Sequence, residues 1–124
     1  MSLLIRVLLP YTMKRFGSVT EVLPEKLDGY LRLHAAAWPG VLKRISESNI
    51  RNYSIYFRTF DDGRHFLFTY FEYVGADFDS DMAAIAADPE TQRWWDVCKP
   101  CLQPFADMPP GECWAPMQEV FHHD

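Results

Sequence analysis

The chain has 124 residues, 48% of them hydrophobic and 23% charged, with a net charge of −5. That length and balance fit one globular domain able to bury a core without disulfides or metal, and they exclude an intrinsically disordered chain. Acids and bases are scattered, and no basic stripe carries interleaved aromatics, so a nucleic-acid partner is not expected.

The segment Met1–Thr12 is apolar over Leu3–Pro10 but too short to span a membrane. It has no basic start and no small-residue cleavage site, so it is a poor secretion signal. Met13-Lys14-Arg15 reads as a natural start. Residues 1–12 are therefore expected to be an extension and residues 13–124 a single domain. Nothing argues for export or a membrane, and the cytoplasm is the default location.

Arg15–Leu23 mixes β-branched and aromatic residues and predicts a first strand. Pro24 and Glu25 suit the first turn of a helix, along which Leu27, Tyr30, Leu31, His34 and Ala35 recur at helical spacing. Pro39 lacks an N–H for the helical ladder and should kink or restart the helix at Trp38. Val41, Leu42 and Ile45 continue the apolar face until Ser46–Asn49. Ile50–Phe57 predicts a second strand, with Tyr53, Ile55 and Phe57 on one face and Asn52, Ser54 and Tyr56 on the other. Asp61-Asp62-Gly63 is a hairpin signal. His65–Val74 predicts a third strand whose aromatic run suggests burial on both faces.

Phe78, Met82 and Ile85 predict a second helix, capped by Asp77 or Asp79 and broken at Asp88-Pro89. Glu90–Val97 restarts it and carries Arg93-Trp94-Trp95. Pro100–Gly111 reads as a loop and Trp114–Phe121 as a last strand. The order β-α-β-β-α-β is the α+β, ferredoxin-like plan. Its two helices cover one face of the sheet. The other face is too aromatic to leave wet, so a homodimer packed sheet against sheet is expected.

Three cysteines cannot all pair. Cys98-Lys99-Pro100-Cys101 has redox or zinc spacing, but its context suits neither, and ordinary reduced thiols are expected. No phosphate-binding loop or nucleophile elbow occurs. The chemistry must then come from a titrating group set among aromatics. Tyr30, His34 and Trp38 recur every four residues, roughly one helical face at about 3.6 residues per turn. His34 titrates near neutrality and can give or take a proton, although a helix histidine can equally serve only packing. Tyr53 can donate to a ligand hydroxyl. Trp94 and Trp95 point about 100° apart on a helix, so one can be core while the other borders a pocket.

Several motifs in order carry a resemblance to a known family: Lys14-Arg15-Phe16-Gly17, Tyr30-x-x-x-His34-x-x-x-Trp38-Pro39, Asn52-Tyr53-x-Ile55-Tyr56, Arg93-Trp94-Trp95 and Met117-Gln118-Glu119-Val120-Phe121. With them, residues 13–124 resemble the L-rhamnose mutarotase family. The resemblance implies a ferredoxin-like chain that dimerises into an α/β barrel and interconverts the anomers of a deoxy-hexose without cofactor or metal. It implies an acid/base role for His34 and sugar contacts for Tyr30, Tyr53, Trp94 and Trp95. Trp38, just before Pro39, then reads as packing at a helix break. The Asp61–Arg64 turn and the Gly75–Asp81 stretch look more like relatives that act on L-fucose. Two other readings share the fold: a cofactor-independent dimeric-barrel monooxygenase and a non-catalytic sugar-binding module.

Overall fold

The structure, a computed structural model, describes residues 13–124; the expected extension 1–12 lies outside the described residues. Strand β1 (Lys14–Val22) is followed by a 3-10 turn (Pro24–Lys26), α1 (Leu27–Ala35) and α2 (Pro39–Glu47). Strands β2 (Ile50–Thr59) and β3 (His65–Tyr73) come next. Helices α3 (Phe78–Ala87) and α4 (Pro89–Cys98), a 3-10 turn (Lys99–Cys101) and the short strands β4 (Leu102–Gln103) and β5 (Ala115–Met117) complete the chain. The sheet is antiparallel in the order β2-β3-β1-β4, with β5 also on β1. This is the ferredoxin-like arrangement expected from the sequence, with each helical limb divided in two.

Both divisions have the same cause. A residue before proline is pushed out of the helical region, while proline itself fits the first helical position. Trp38 (φ −68°, ψ 130°) and Asp88 (φ −72°, ψ 120°) are accordingly extended, and Pro39 and Pro89 open α2 and α4. Asp88 also caps α4, its carboxylate accepting from the Thr91 backbone N–H at 2.9 Å and hydroxyl at 2.8 Å. Asp77, of the two expected candidates, caps α3 through the Ser80 N–H. The β2–β3 hairpin closes over Asp61-Asp62-Gly63. The Gly63 N–H reaches the Phe60 carbonyl at 2.9 Å, and Gly63 takes φ +84°, open to glycine at no steric cost.

The register assigns the two faces of the sheet. Val22, Leu67 and Thr69 point toward the helices, where Val22, Leu67, Tyr30, Val41, Trp94, Cys98 and Leu102 form the core. Ile55 sits opposite Thr69 and packs against the same cluster. Phe66 and Phe68 point to the opposite face beside Tyr56. Burial of β3 on both faces is thus only half met. Leu67, Thr69 and Tyr73 are buried under helices, whereas Phe66 is covered by the rings of Phe60 and Phe105 at 4.9 and 6.2 Å. Phe68 and Tyr70 stay half-buried because no second layer lies over them among the described residues.

Two expectations need correction. The last strand is Ala115–Met117, not Trp114–Phe121. Pro116 has no N–H to donate. Beyond Met117 the chain is held by a side-chain ion pair, Glu119 to Arg15 at 2.9 Å, rather than by a ladder. Val120 and Phe121 are left 87% and 79% exposed. The expected loop Pro100–Gly111 also contains β4, which pairs with Glu21 and Val22. A third feature is an irregularity in β2. Ile50 faces Tyr73 and Ile55 faces Thr69, so five steps of β2 run against four of β3, with the shift between Arg51 and Ser54. Asn52 lies within the shift at φ +51°. This is a β-bulge, and it places Ile50 and Ile55 on the same, helix-covered face.

Leu67, 1% exposed at the centre of β3, tests the core. Leu67→Ala is expected to lower unfolding stability by about 2–5 kcal/mol in urea titration, from lost burial plus the cavity left behind.

Candidate active site

The helical spacing of Tyr30 and His34 brings their rings into a stack, 4.1 Å between centroids at 25°. His34 Nδ1 lies 2.9 Å from the Tyr30 carbonyl oxygen. A carbonyl can only accept, so Nδ1 carries the proton and a neutral imidazole presents Nε2 as a free acceptor. Burial lowers the His34 pKa from its ordinary value, against the opposing pull of that backbone bond, because desolvation penalises the imidazolium. The side chain is therefore held neutral, correctly oriented for a base, and half-buried.

Trp94 supports it from behind. The Trp94 ring meets His34 edge-on at 5.0 Å and 61°, and Trp38 at 5.1 Å and 70°. Trp94 is 7% exposed, and Trp95, one residue on, is half-buried with the Lys99 ammonium 5.0 Å above its ring. Trp38 thus packs against the site's back wall, held at the break before Pro39.

Tyr30 and Tyr53 approach from different layers, Tyr30 from α1 and Tyr53 from β2. Tyr30 is 3% exposed. Burial first, then the neighbouring Tyr53 phenol and the Cys98, Cys101 and Cys113 thiols, pushes its pKa far above the ordinary phenol value. Tyr53 is 45% exposed as a residue. Desolvation, followed by the Cys98 thiol, raises its pKa also. Both phenols consequently stay protonated and act as hydrogen-bond donors. The mutual influence of Tyr30, Tyr53 and Cys98 places the three groups within electrostatic reach of one another. Tyr53 also leans on Phe71 at 5.7 Å, the first ring of a series through Phe16 to Phe78.

Of the expected residues, Tyr30, His34 and Trp94 are in ring contact and Tyr53 lies within electrostatic reach of Tyr30, whereas Trp95 packs on the core cluster under Lys99 and makes no ring contact with His34. The three cysteines are free and buried, and Cys98 is pushed up to about 12 by burial and then by Cys101, which makes it inert as a nucleophile. The place of Cys98 next to the two tyrosines was not legible in the sequence, because nothing in C-x-x-C spacing reports which residues of another layer lie above it. Among the described residues no three His, Cys, Asp or Glu side chains are placed to hold a metal ion, and no helix is long and apolar enough to cross a membrane.

Known proteins match the chain along nearly its whole described length. A family model described as L-rhamnose mutarotase matches residues 15–123. An L-rhamnose mutarotase of Oceanobacillus iheyensis is 32% identical over 112 residues, covering 90% of this chain and 100% of that protein. One of Phocaeicola vulgatus is 34% identical over 95 residues, 77% of this chain and 84% of its own. The crystal structure of an L-rhamnose mutarotase from Formosa agariphila superposes with a TM-score of 0.65 at 22% identity, over 90% of this chain and 99% of that one, a likeness of fold.

The neutral state of His34 has a measurable consequence. Its folded pKa is depressed below 6.5, so the unfolded chain takes up the proton first and stability falls as pH drops through 6.5 toward the folded value. Proton-nitrogen correlation spectra are expected to show the Nδ1–H tautomer and a titration midpoint under 6.5. A midpoint above 6.5 would contradict a desolvated imidazole.

Proposed function

The chain belongs to the L-rhamnose mutarotase family, and from that premise we propose that it interconverts the α and β anomers of a 6-deoxy-L-hexose by acid/base-assisted ring opening. L-rhamnose is the first substrate to test and L-fucose the second. The observation that carries the reading is the stack of an Nδ1-protonated His34 on the Tyr30 phenol, with the Tyr53 phenol within electrostatic reach of Tyr30.

Anomer exchange removes the proton from O1 and delivers one to the ring oxygen as the C1–O5 bond opens. The free aldehyde at C1 then rotates and is attacked from its other face. In this reading His34 Nε2 takes the O1 proton. Tyr30 or Tyr53 gives its phenol proton to the ring oxygen as the C1–O5 bond breaks, and the O5 hydroxyl hands a proton back to that phenolate as it attacks C1. His34 returns its proton to O1, the former aldehyde oxygen, when the ring recloses. Nothing in this chemistry calls for a nucleophile, a metal or a redox group. Trp94 forms the wall behind His34, and Trp95 offers a flat face to the C–H side of the sugar. Positioned acid/base groups contribute about 10²–10⁴-fold, a sufficient gain for a reaction that already proceeds slowly in water. Neither oxygenation nor sugar binding without turnover has an observation in its favour.

The same reading includes a homodimer. The sheet face away from the helices carries Phe66, Phe68, Tyr56 and Phe60, the last two 65% and 42% exposed, and Phe121 lines a hollow with Tyr70 of that face. A contiguous aromatic face of this kind fits a second copy packed sheet to sheet.

Saturation-transfer NMR on equilibrated L-rhamnose and L-fucose is expected to show faster exchange between the anomeric protons with the protein than in buffer. Exchange at the buffer rate for both sugars would sink the mutarotase reading. His34→Ala is expected to reduce the enzymatic exchange by about 10² or more with no change in sedimentation. Tyr56→Glu is expected to shift sedimentation from dimer toward monomer, and an unchanged monomer for both proteins would remove the sheet-to-sheet dimer.

A further inference from the structure

Tyr53 is in the site only because β2 is irregular. In an unbroken strand successive side chains alternate faces. Ile50 and Arg51 open β2 opposite Tyr73 and Glu72, with Ile50 on the helix side. Continued alternation would put Asn52 on the helix side and turn Tyr53, Ile55 and Phe57 to the opposite face. The bulge between Arg51 and Ser54 cancels that outcome by adding one residue. The added residue is Asn52, whose left-handed backbone (φ +51°) is tolerated by asparagine far better than by β-branched or bulky residues.

The Asn52 side chain also holds the bulge closed. Its Nδ2 donates to Glu72 Oε1 at 2.7 Å, and Tyr70 donates its hydroxyl to Glu72 Oε2 at 2.7 Å. Glu72 lies across the ladder from Arg51 on the face away from the helices. The amide is thus tied to the outer face while the next side chain, Tyr53, turns inward to Phe71 at 5.7 Å. Bulges commonly re-aim a side chain beside an active site.

We infer that Asn52 is a positioning residue for Tyr53, its left-handed bulge and its bond to Glu72 setting the Tyr53 hydroxyl on the sugar side of the sheet. The Asn52 side chain bonds Glu72 and makes no bond to His34. It acts through Tyr53, and the inference rests on the reading of this cleft as the sugar site. A β-branched residue at position 52 disfavours the left-handed backbone and favours a regular strand, which sends Tyr53 outward. Glycine keeps the backbone accessible and loses only the amide.

The test is a cycle of Asn52→Val, Asn52→Gly and Tyr53→Phe, alone and combined, with sedimentation of each to confirm an unaltered assembly. Asn52→Val is expected to lower kcat/KM for anomer exchange by on the order of tenfold to a hundredfold, the scale of a misplaced active-site group. Asn52→Gly is expected to retain most of the wild-type value. In the Tyr53→Phe background Asn52→Val should cost little more, since residues acting through one group are not additive. An undiminished further loss in that background, or a full rate for Asn52→Val, overturns the inference. A second readout does not depend on turnover: nuclear Overhauser effects between the Tyr53 and Phe71 rings should persist in Asn52→Gly and vanish in Asn52→Val. Their persistence in Asn52→Val overturns the inference even if no sugar proves to be a substrate. Should Asn52→Val not fold, Asn52→Ala carries the same two readouts. A wild-type protein that exchanges neither sugar, while Asn52→Val shows no Overhauser effect between the two rings, would refute the assigned reaction and leave the bulge as the device that aims Tyr53.

Discussion

A β-strand shows alternate side chains to opposite sides, and this parity governs which aromatic residues of this protein meet the helices. On β3 it sends Leu67, Thr69 and Tyr73 into the core and leaves Phe66 and Phe68 on the other face. On β2 it is interrupted once, at Asn52, and the interruption delivers Tyr53 and Ile55 to the helix side. Tyr53 on that corrected face thereby comes within electrostatic reach of Tyr30 on α1.

The helical layer supplies the other half by a different rule. Spacing of four along α1 stacks Tyr30 on His34 and lets the Tyr30 carbonyl take the Nδ1 proton. The break before Pro39 brings Trp38 against Trp94, and Trp94 closes the back of the imidazole. The cap of α4 by Asp88 fixes where Trp94 begins its turn. Burial then acts on the titrating groups with opposite sign. It lowers the pKa of His34 and raises those of both phenols, so the desolvated site holds one neutral acceptor and two neutral donors at the same pH. Such a set is suited to moving a proton between two oxygens of one small molecule.

Much of the fold was open to reading in the residues. The helix breaks at Pro39 and Pro89, the Asp-Gly hairpin and a cap at Asp77 or Asp79 each follow from local steric or hydrogen-bonding rules, whereas the one-sided burial of β3 does not, since its aromatic run suggests burial on both faces. The grouping of Tyr30 with His34 follows from helical periodicity alone. The shortened last strand was less legible, because Pro116 and the pull of Arg15 on Glu119 act together and only the first is local. The bulge left a faint trace. Ile50 and Ile55 have opposite parity although both are core-type residues, and an asparagine stands between them.

The residues alone were enough for the kind of element most segments before Pro100 form, the face that carries Tyr30 and His34, and membership of a family with a sugar as substrate. These depend on neighbours within a few positions, or on an ordered set of motifs. The company those residues keep came from the packing of the layers: Trp94 behind His34, Cys98 beside two phenols, Tyr53 turned inward, and the ionisation that burial imposes on each. Desolvation and side-chain contact depend on atoms brought from other parts of the fold, and no spacing along the chain reports their distance.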